Sequence, residues 1–335
     1  MRAELGALSL AAVTAFVGGA AAGRPPADVV ATGIARPLQL ALDREGRLVV
    51  LGPGSAGDAA GEIVRVPLDR GGSLDLSGAP RVRIPFARGP RPFSLGSLAV
   101  EPRSGDLFLG EENGSRIYRL SADAGLALYA LGLHRLAGGG TLAFDGEGRL
   151  LVVDYADPSI DSPAERPGPP GFEWLRDEDY RGPLLLRLDL DPEVALPRDL
   201  ERAAPLFPRG WGGRAGGGLL PRLISVAAAP TGAVFALGSM GQVFRVSSTG
   251  ELEPLARLPL GQYQRISMVA TPDGSVLVSG GFHIGRVFRV APDGQVSTLA
   301  QDLADPEGIA LDPAGRVYVA ESALHRIVRL RLPPP

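Results

Sequence analysis

Three carboxylates, Glu111, Asp154 and Glu321, each follow a short apolar run that reads as a β-strand: Leu107–Gly110, Leu150–Val153 and Val317–Ala320. If these strands occupy equivalent places in a repeat, the three acids share one rim. Carboxylates gathered there repel one another unless something compensates. A hard cation such as Ca²⁺ held by oxygen ligands is one answer, and Arg partners or solvent are the others. His283 follows Gly280-Gly281-Phe282 and could serve as a general base or ligand across from Asp154, the second candidate for proton chemistry. His134, in a connection between blades on the same face, is a weaker candidate of the same kind, and His325 in the last loop reads as peripheral. Tyr263 and Arg265, with Trp211 and Arg214 from a Gly-rich stretch, could line a ligand pocket, joined by Tyr155 and Trp174.

Other chemistries are excluded. The chain has no Cys, so disulfides, thiol nucleophiles and Cys-ligated zinc are out. All 34 basic side chains are Arg, and a Walker phosphate loop needs Lys. The absence of Lys and the Ala/Gly/Arg/Pro bias point to GC-rich bacterial coding. Neither HExxH nor GxSxG occurs. A net charge of −3 gives no electrostatic case for nucleic acid.

The elements that must position these residues are strands. The 335 residues include 46 Gly and 31 Pro, which suits many short strands joined by turns. Ile224–Phe235 and Ile266–Leu277 are nearly superimposable, and each is followed by Val-Phe-Arg-Val and a second Gly turn. Strand, turn, strand, loop, strand, turn, strand is a four-stranded antiparallel meander, the unit of a propeller blade. The unit recurs around Gly46, Gly105, Gly148, Gly232, Gly274 and Gly315, the last three spaced by 42 and 41 residues. The 84 residues from Gly148 to Gly232 hold one blade with an insertion, at about 156–182, and not a seventh blade.

The ends complete the count. Val29–Val50 align without a gap to Thr298–Val319, which makes Val29–Ala31 an outermost strand with no blade before it. The last blade lacks its fourth strand. The reading is an all-β, six-bladed propeller whose N-terminal strand completes the last blade and closes the ring. On this frame one position, at the end of each second strand, holds Gly52, Glu111, Asp154, Gly238, Gly280 and Glu321, all on one "top" face.

Residues 1–23 carry Arg2, an apolar stretch to Ala22 and a small-residue run, and read as an export signal, leaving 24–335 as a periplasmic or secreted propeller. No other stretch is apolar enough to span a bilayer.

The last blade, Asp305-Pro306-Glu307-Gly308-Ile309-Ala310-Leu311-Asp312-Pro313-Ala314-Gly315-Arg316-Val317-Tyr318-Val319-Ala320-Glu321-Ser322, resembles an NHL repeat. The same signature is similar to the gluconolactonase/regucalcin group of six-bladed propellers, over about residues 29–332. That resemblance implies a metal-dependent lactonase with acidic and amide ligands. Glu111, Asp154 and Glu321 match those places as calcium ligands, with Glu112, Asn113 and Glu307 nearby. The chain departs from the group where an Asn-Gly precedes the inner strand, since blade 6 has Glu307-Gly308.

Three functions stay open on the sequence alone. The first is a binding module whose top face takes a small molecule, glycan or protein, with the chain expected as a monomer. The second is a calcium-dependent hydrolase of lactones or related esters, and the third a scaffold.

Overall fold

The computed structural model describes residues 27–53, 59–69, 71–85, 94–133, 135–154, 184–191, 193–200, 203–207, 222–259, 261 and 263–330. The leader expected at 1–23 and the insertion expected at 156–182 lie outside them.

The chain opens with β1 (Ala27–Thr32). Blade 1 follows as β2 (Gln39–Leu42), β3 (Leu48–Gly52), β4 (Ala59–Val66) and β6 (Val82–Pro85), with β5 (Leu74–Asp75) before the last. Blade 2 is β7 (Ser94–Val100), β8 (Leu107–Glu112), β9 (Ile117–Ser121) and β10 (Gly125–Leu131). Blade 3 is β11 (Leu142–Phe144), β12 (Leu150–Asp154), β13 (Leu184–Leu188) and β15 (Pro205–Phe207), with β14 (Arg198–Asp199) between the last two. Blade 4 runs β16 (Leu223–Ala228), β17 (Val234–Gly238), β18 (Gln242–Val246) and β19 (Leu252–Arg257). Blade 5 runs β20 (Met268–Ala270), β21 (Val276–Ser279), β22 (Val287–Val290) and β23 (Val296–Ala300). Blade 6 has β24 (Pro306–Leu311), β25 (Val317–Glu321) and β26 (Arg326–Leu330).

Its fourth strand is β1, antiparallel to β26 from Ala27↔Leu330 to Thr32↔Arg326. The ring therefore closes as the end alignment required. The 84-residue gap is one blade: β12 and β13 pair directly through Asp154↔Leu184, so the intervening residues leave and return at one place.

The six turn glycines all have left-handed φ, between 72° and 90°, which L side chains rarely adopt. Beside them a second device repeats in blades 1, 3 and 6. Asp43, Asp145 and Asp312 each accept two backbone N–H bonds across the turn and hold the Arg four residues on. These acids staple the inner hairpins at the face opposite the top.

Apolar faces bury between blades. Six clusters appear among the described residues, one at each blade boundary, such as Phe108, Tyr129 and Leu186 between blades 2 and 3. Phe108 meets Tyr129 edge-on at 4.8 Å between ring centres. Two short strands cross between blades. β5 adds in parallel to the outer edge of β1, and β14 adds in parallel to β10. No helix among the described residues is long and apolar enough to cross a membrane.

Candidate functional site

The second strands deliver the aligned position to the top as expected. β3, β12, β17 and β25 end on Gly52, Asp154, Gly238 and Glu321; β8 runs one residue past Glu111, and β21 stops one short of Gly280.

The acids are not poised in solvent, however. Glu111, Asp154 and Glu321 are 4%, 2% and 0% exposed. Each is committed close to home. Tyr118 donates its hydroxyl to Glu111 Oε1 at 2.8 Å, with Arg116 at 3.7 Å. The Arg135 N–H donates to Asp154 Oδ1 at 2.9 Å. Glu321 accepts the Ala304 N–H at 3.0 Å on one oxygen and Arg326 Nε at 2.5 Å on the other. In blades 3 and 6 the acid thus satisfies a half-buried backbone donor in the link that leads into its own blade. Among the described residues no three His, Asp or Glu side chains come together to hold a metal ion. These local partners engage both oxygens of Glu321 and one oxygen each of Glu111 and Asp154.

Two other acids do approach the mouth of the channel. Glu112, just past Glu111, reaches across to blade 5, where Arg265 Nε and Nη2 lie 2.9 and 2.7 Å from its Oε1. Room for it comes from Gly96 and Gly138, where an added Cβ would stand 2.8 Å from Glu112 atoms. Glu307 is the second residue of β24, the inner strand of blade 6, and is 1% exposed. Ser322 donates to it at 2.9 Å, and Arg36 Nη2 stands 4.0 Å away. Burial pushes its carboxyl up to about 7 against the pull of Ser322, Arg265 and Arg36.

The sign of the consequence is fixed. Glu307 holds its proton more tightly folded than unfolded, so stability falls as pH rises from about 4.5 to about 7, then levels. Urea unfolding of wild type and Glu307→Gln across that interval is expected to show the wild type losing up to about 3 kcal/mol relative to the variant. Parallel pH profiles would contradict the assignment.

The inner strands add a polar belt around the axis. Four residues before the residue that closes each inner hairpin stand Gln39, Ser97, Thr141, Ser225, Ser267 and Gly308. The first five are at most 4% exposed. Ser97 and Thr141 share a hydrogen bond of 2.5 Å, Ser225 donates to the Gly140 carbonyl, and Ser267 donates to Gln39. Gly308 is glycine because Leu40 N and Gln39 Cα would lie 2.8 and 2.9 Å from a Cβ.

Beside the axis a cleft of about 530 Å³ opens among the blade-to-blade links of blades 2 to 5. Arg135, Arg222 and Arg265 line it with Glu112, Asn113, Ser239 and Gln264, and Ile224, Met240 and Tyr263 supply apolar wall. Of the six residues expected to line a pocket, Tyr263 and Arg265 are among the described ones, and both line this cleft. Tyr263 serves it as floor: it is 1% exposed and donates its hydroxyl to the Pro259 carbonyl at 2.7 Å. Trp211, Arg214, Tyr155, Trp174 and His134 lie outside the described residues. His283 is exposed at the end of the 3-10 turn Gly281–His283, in blade 5, while Asp154 belongs to blade 3. His325 accepts the Arg36 N–H on Nδ1 at 2.8 Å and so helps fix the loop that carries Arg36.

The three chain-continuous strands of blade 6 carry the decisive match: residues 303–330 fit the model of the NHL repeat. The chain is a six-bladed propeller with an NHL repeat as its last blade. No curated relative matches the propeller in sequence. Solved structures do match its fold. A streptogramin B lyase shares 14% identity, covering 92% of this chain and 97% of that one, with a TM-score of 0.54. A Trichoderma reesei carbohydrate-active enzyme of family AA12 shares 14%, covering 95% and 100%, with a TM-score of 0.55. A propeller whose gluconolactonase assignment is itself provisional shares 13%, covering 93% of each chain, with a TM-score of 0.54. At these identities the likeness is one of fold.

Proposed function

We propose that the propeller is an exported binding module that holds a small molecule on its top face, in the cleft over blades 2 to 5. The observation that carries this reading is the cleft itself, about 530 Å³ and walled by links from four blades that the Glu112–Arg265 pair ties together. Concave sites with a few convergent polar groups on an apolar wall are the usual form of a ligand pocket. The calcium hydrolase reading has no comparable support, since its acids are engaged elsewhere. The lyase and the AA12 enzyme share the fold with this chain, and at 14% identity that likeness carries no chemistry.

The test is a thermal-shift screen of small molecules against the whole chain and a Ser239→Trp variant, in which indole fills a half-buried position of the cleft wall. A true ligand at about a hundredfold its Kd is expected to raise the wild-type midpoint by about 5 °C. The variant, with its own midpoint unchanged, should not respond. Hits that shift both proteins alike would place binding elsewhere and sink the reading.

A further inference from the structure

The axis of the ring is bridged above and open below. Near the belt the blades are tied across it. The Gly140 N–H of blade 3 donates to the Ile266 carbonyl of blade 5 at 2.6 Å, and Ser267 of blade 5 donates to Gln39 of blade 1. The Glu112–Arg265 pair, at 2.7 Å, joins blades 2 and 5 above them. From the belt downward lies a cavity of about 190 Å³, lined by the inner-strand segments of all six blades. It reaches Leu42, Val100, Phe144 and Leu311, each the last residue of its strand, on the face opposite the cleft. From Gln39 to Leu42 is about 10 Å of strand.

The bridged end and the walls of this cavity differ in chemistry. Every belt hydroxyl is committed: Ser97 and Thr141 to each other, Ser225 to the Gly140 carbonyl, Ser267 to Gln39 Oε1. Gln39 Nε2 is the exception. It is buried, on a side chain 2% exposed, and has no hydrogen-bond partner among the described residues. An amide nitrogen left so is costly. Gln39 lines the cavity, and the χ3 torsion that aims its amide is broad, so the nitrogen can turn to an acceptor that enters from below. Beneath it the side chains are apolar, and Leu42, Val100, Phe144, Val269 and Leu311 are only half-buried. Among the described residues no charged side chain lines the space. The inner strands are also sheet edges, whose free backbone groups can hold water, and water is the competing occupant.

We propose that this cavity is a second ligand site, entered from the face opposite the cleft, for a small uncharged molecule with an oxygen acceptor on an apolar body. A ketone or ester about the size of benzene fits, since an apolar cavity of about 150 Å³ already holds that ring. The oxygen accepts from Gln39 Nε2, and the body displaces water along Val100, Phe144 and Leu311. Ions are disfavoured, because no charged side chain in the lining offsets the cost of desolvating them. The inference stands apart from the cleft and does not depend on it.

Saturation-transfer NMR titrations of the whole chain test this with cyclohexanone, and with benzene as a ring of similar size that lacks the oxygen. Both are expected to bind the wild type. In the double variant Gln39→Met with Ser267→Ala, cyclohexanone should lose about five- to tenfold in affinity while benzene is unchanged. Removing both partners of the buried bond spares the fold, which urea unfolding checks. Val100→Phe narrows the cavity and should weaken both probes. Ser239→Trp, in the cleft on the other face, should weaken neither. If neither probe binds, the cavity holds ordered water only and the site falls. Cyclohexanone binding undiminished in the double variant would overturn the role of Gln39. Binding lost in Ser239→Trp and kept in Val100→Phe would overturn the location.

Discussion

Glu321→Ala is expected to cost about 3–5 kcal/mol of folding stability, far more than the loss of a solvated surface acid. The side chain is 0% exposed, and both of its oxygens are used. Truncation strands the Arg326 guanidinium, itself only 25% exposed, and leaves the Ala304 N–H without its acceptor. Equilibrium urea unfolding at pH 7 measures the loss. A companion measurement separates this role from metal binding: neither EDTA nor millimolar Ca²⁺ is expected to move the thermal midpoint of the wild type. A midpoint that rises with Ca²⁺ in the wild type and not in the variant would restore the cation reading.

A chain that begins at Gly33 is expected not to fold at all. It would lack β1, and with it five backbone-paired positions on β26, the fully buried Ala31 and the Asp28–Arg329 ion pair at 2.8 Å. Apolar side chains at the boundaries of blade 6 with blades 5 and 1 would open to water, since Ala31 and Val29 belong to those clusters. The loss is on the order of 5 kcal/mol or more, comparable with the whole stability of a domain. Circular dichroism and limited proteolysis read the outcome. Re-attaching residues 27–32 after Leu330 through a short glycine turn should restore a cooperative transition, because β1 and β26 are antiparallel neighbours. Cooperative unfolding of the truncated chain at the wild-type midpoint would show that the closing strand is dispensable.

The ring was readable because its signals are local and repeated. A glycine that must take positive φ marks each inner hairpin, and the spacing of these glycines counts the blades. The closing strand was readable for the same reason, from an ungapped alignment of one end with the other. The position of the acids was readable too, but not their use. Nothing local to Asp154 says that its oxygen meets the N–H of Arg135, 19 residues earlier. The cleft was only half visible, through Tyr263 and Arg265. Glu112 and Arg265 are 153 residues apart, and Arg135 and Arg222 lie in links that carry no strand period. The polar belt could have been found by stacking all six repeats at the column of Gln39, where five positions are hydroxyl or amide and Gly308 alone breaks the pattern.

The two parallel additions, β5 on β1 and β14 on β10, bear on how copies of this chain meet one another. An outer strand with free N–H and C=O groups is a template for a neighbouring molecule. Blades 6 and 2 have two positions of that template each covered from within. Three of the other outer strands each contain a proline, Pro85 in β6, Pro205 in β15 and Pro254 in β19, which removes a donor from the row. Blade 5 has neither guard among the described residues. Its β23, Val-Ser-Thr-Leu-Ala, pairs inward with β22 and exposes Val296, Ser297 and Thr298. Strand-by-strand accretion on the folded ring has its unguarded nucleus there, and a single charged or proline substitution on β23 is where solubility would be engineered.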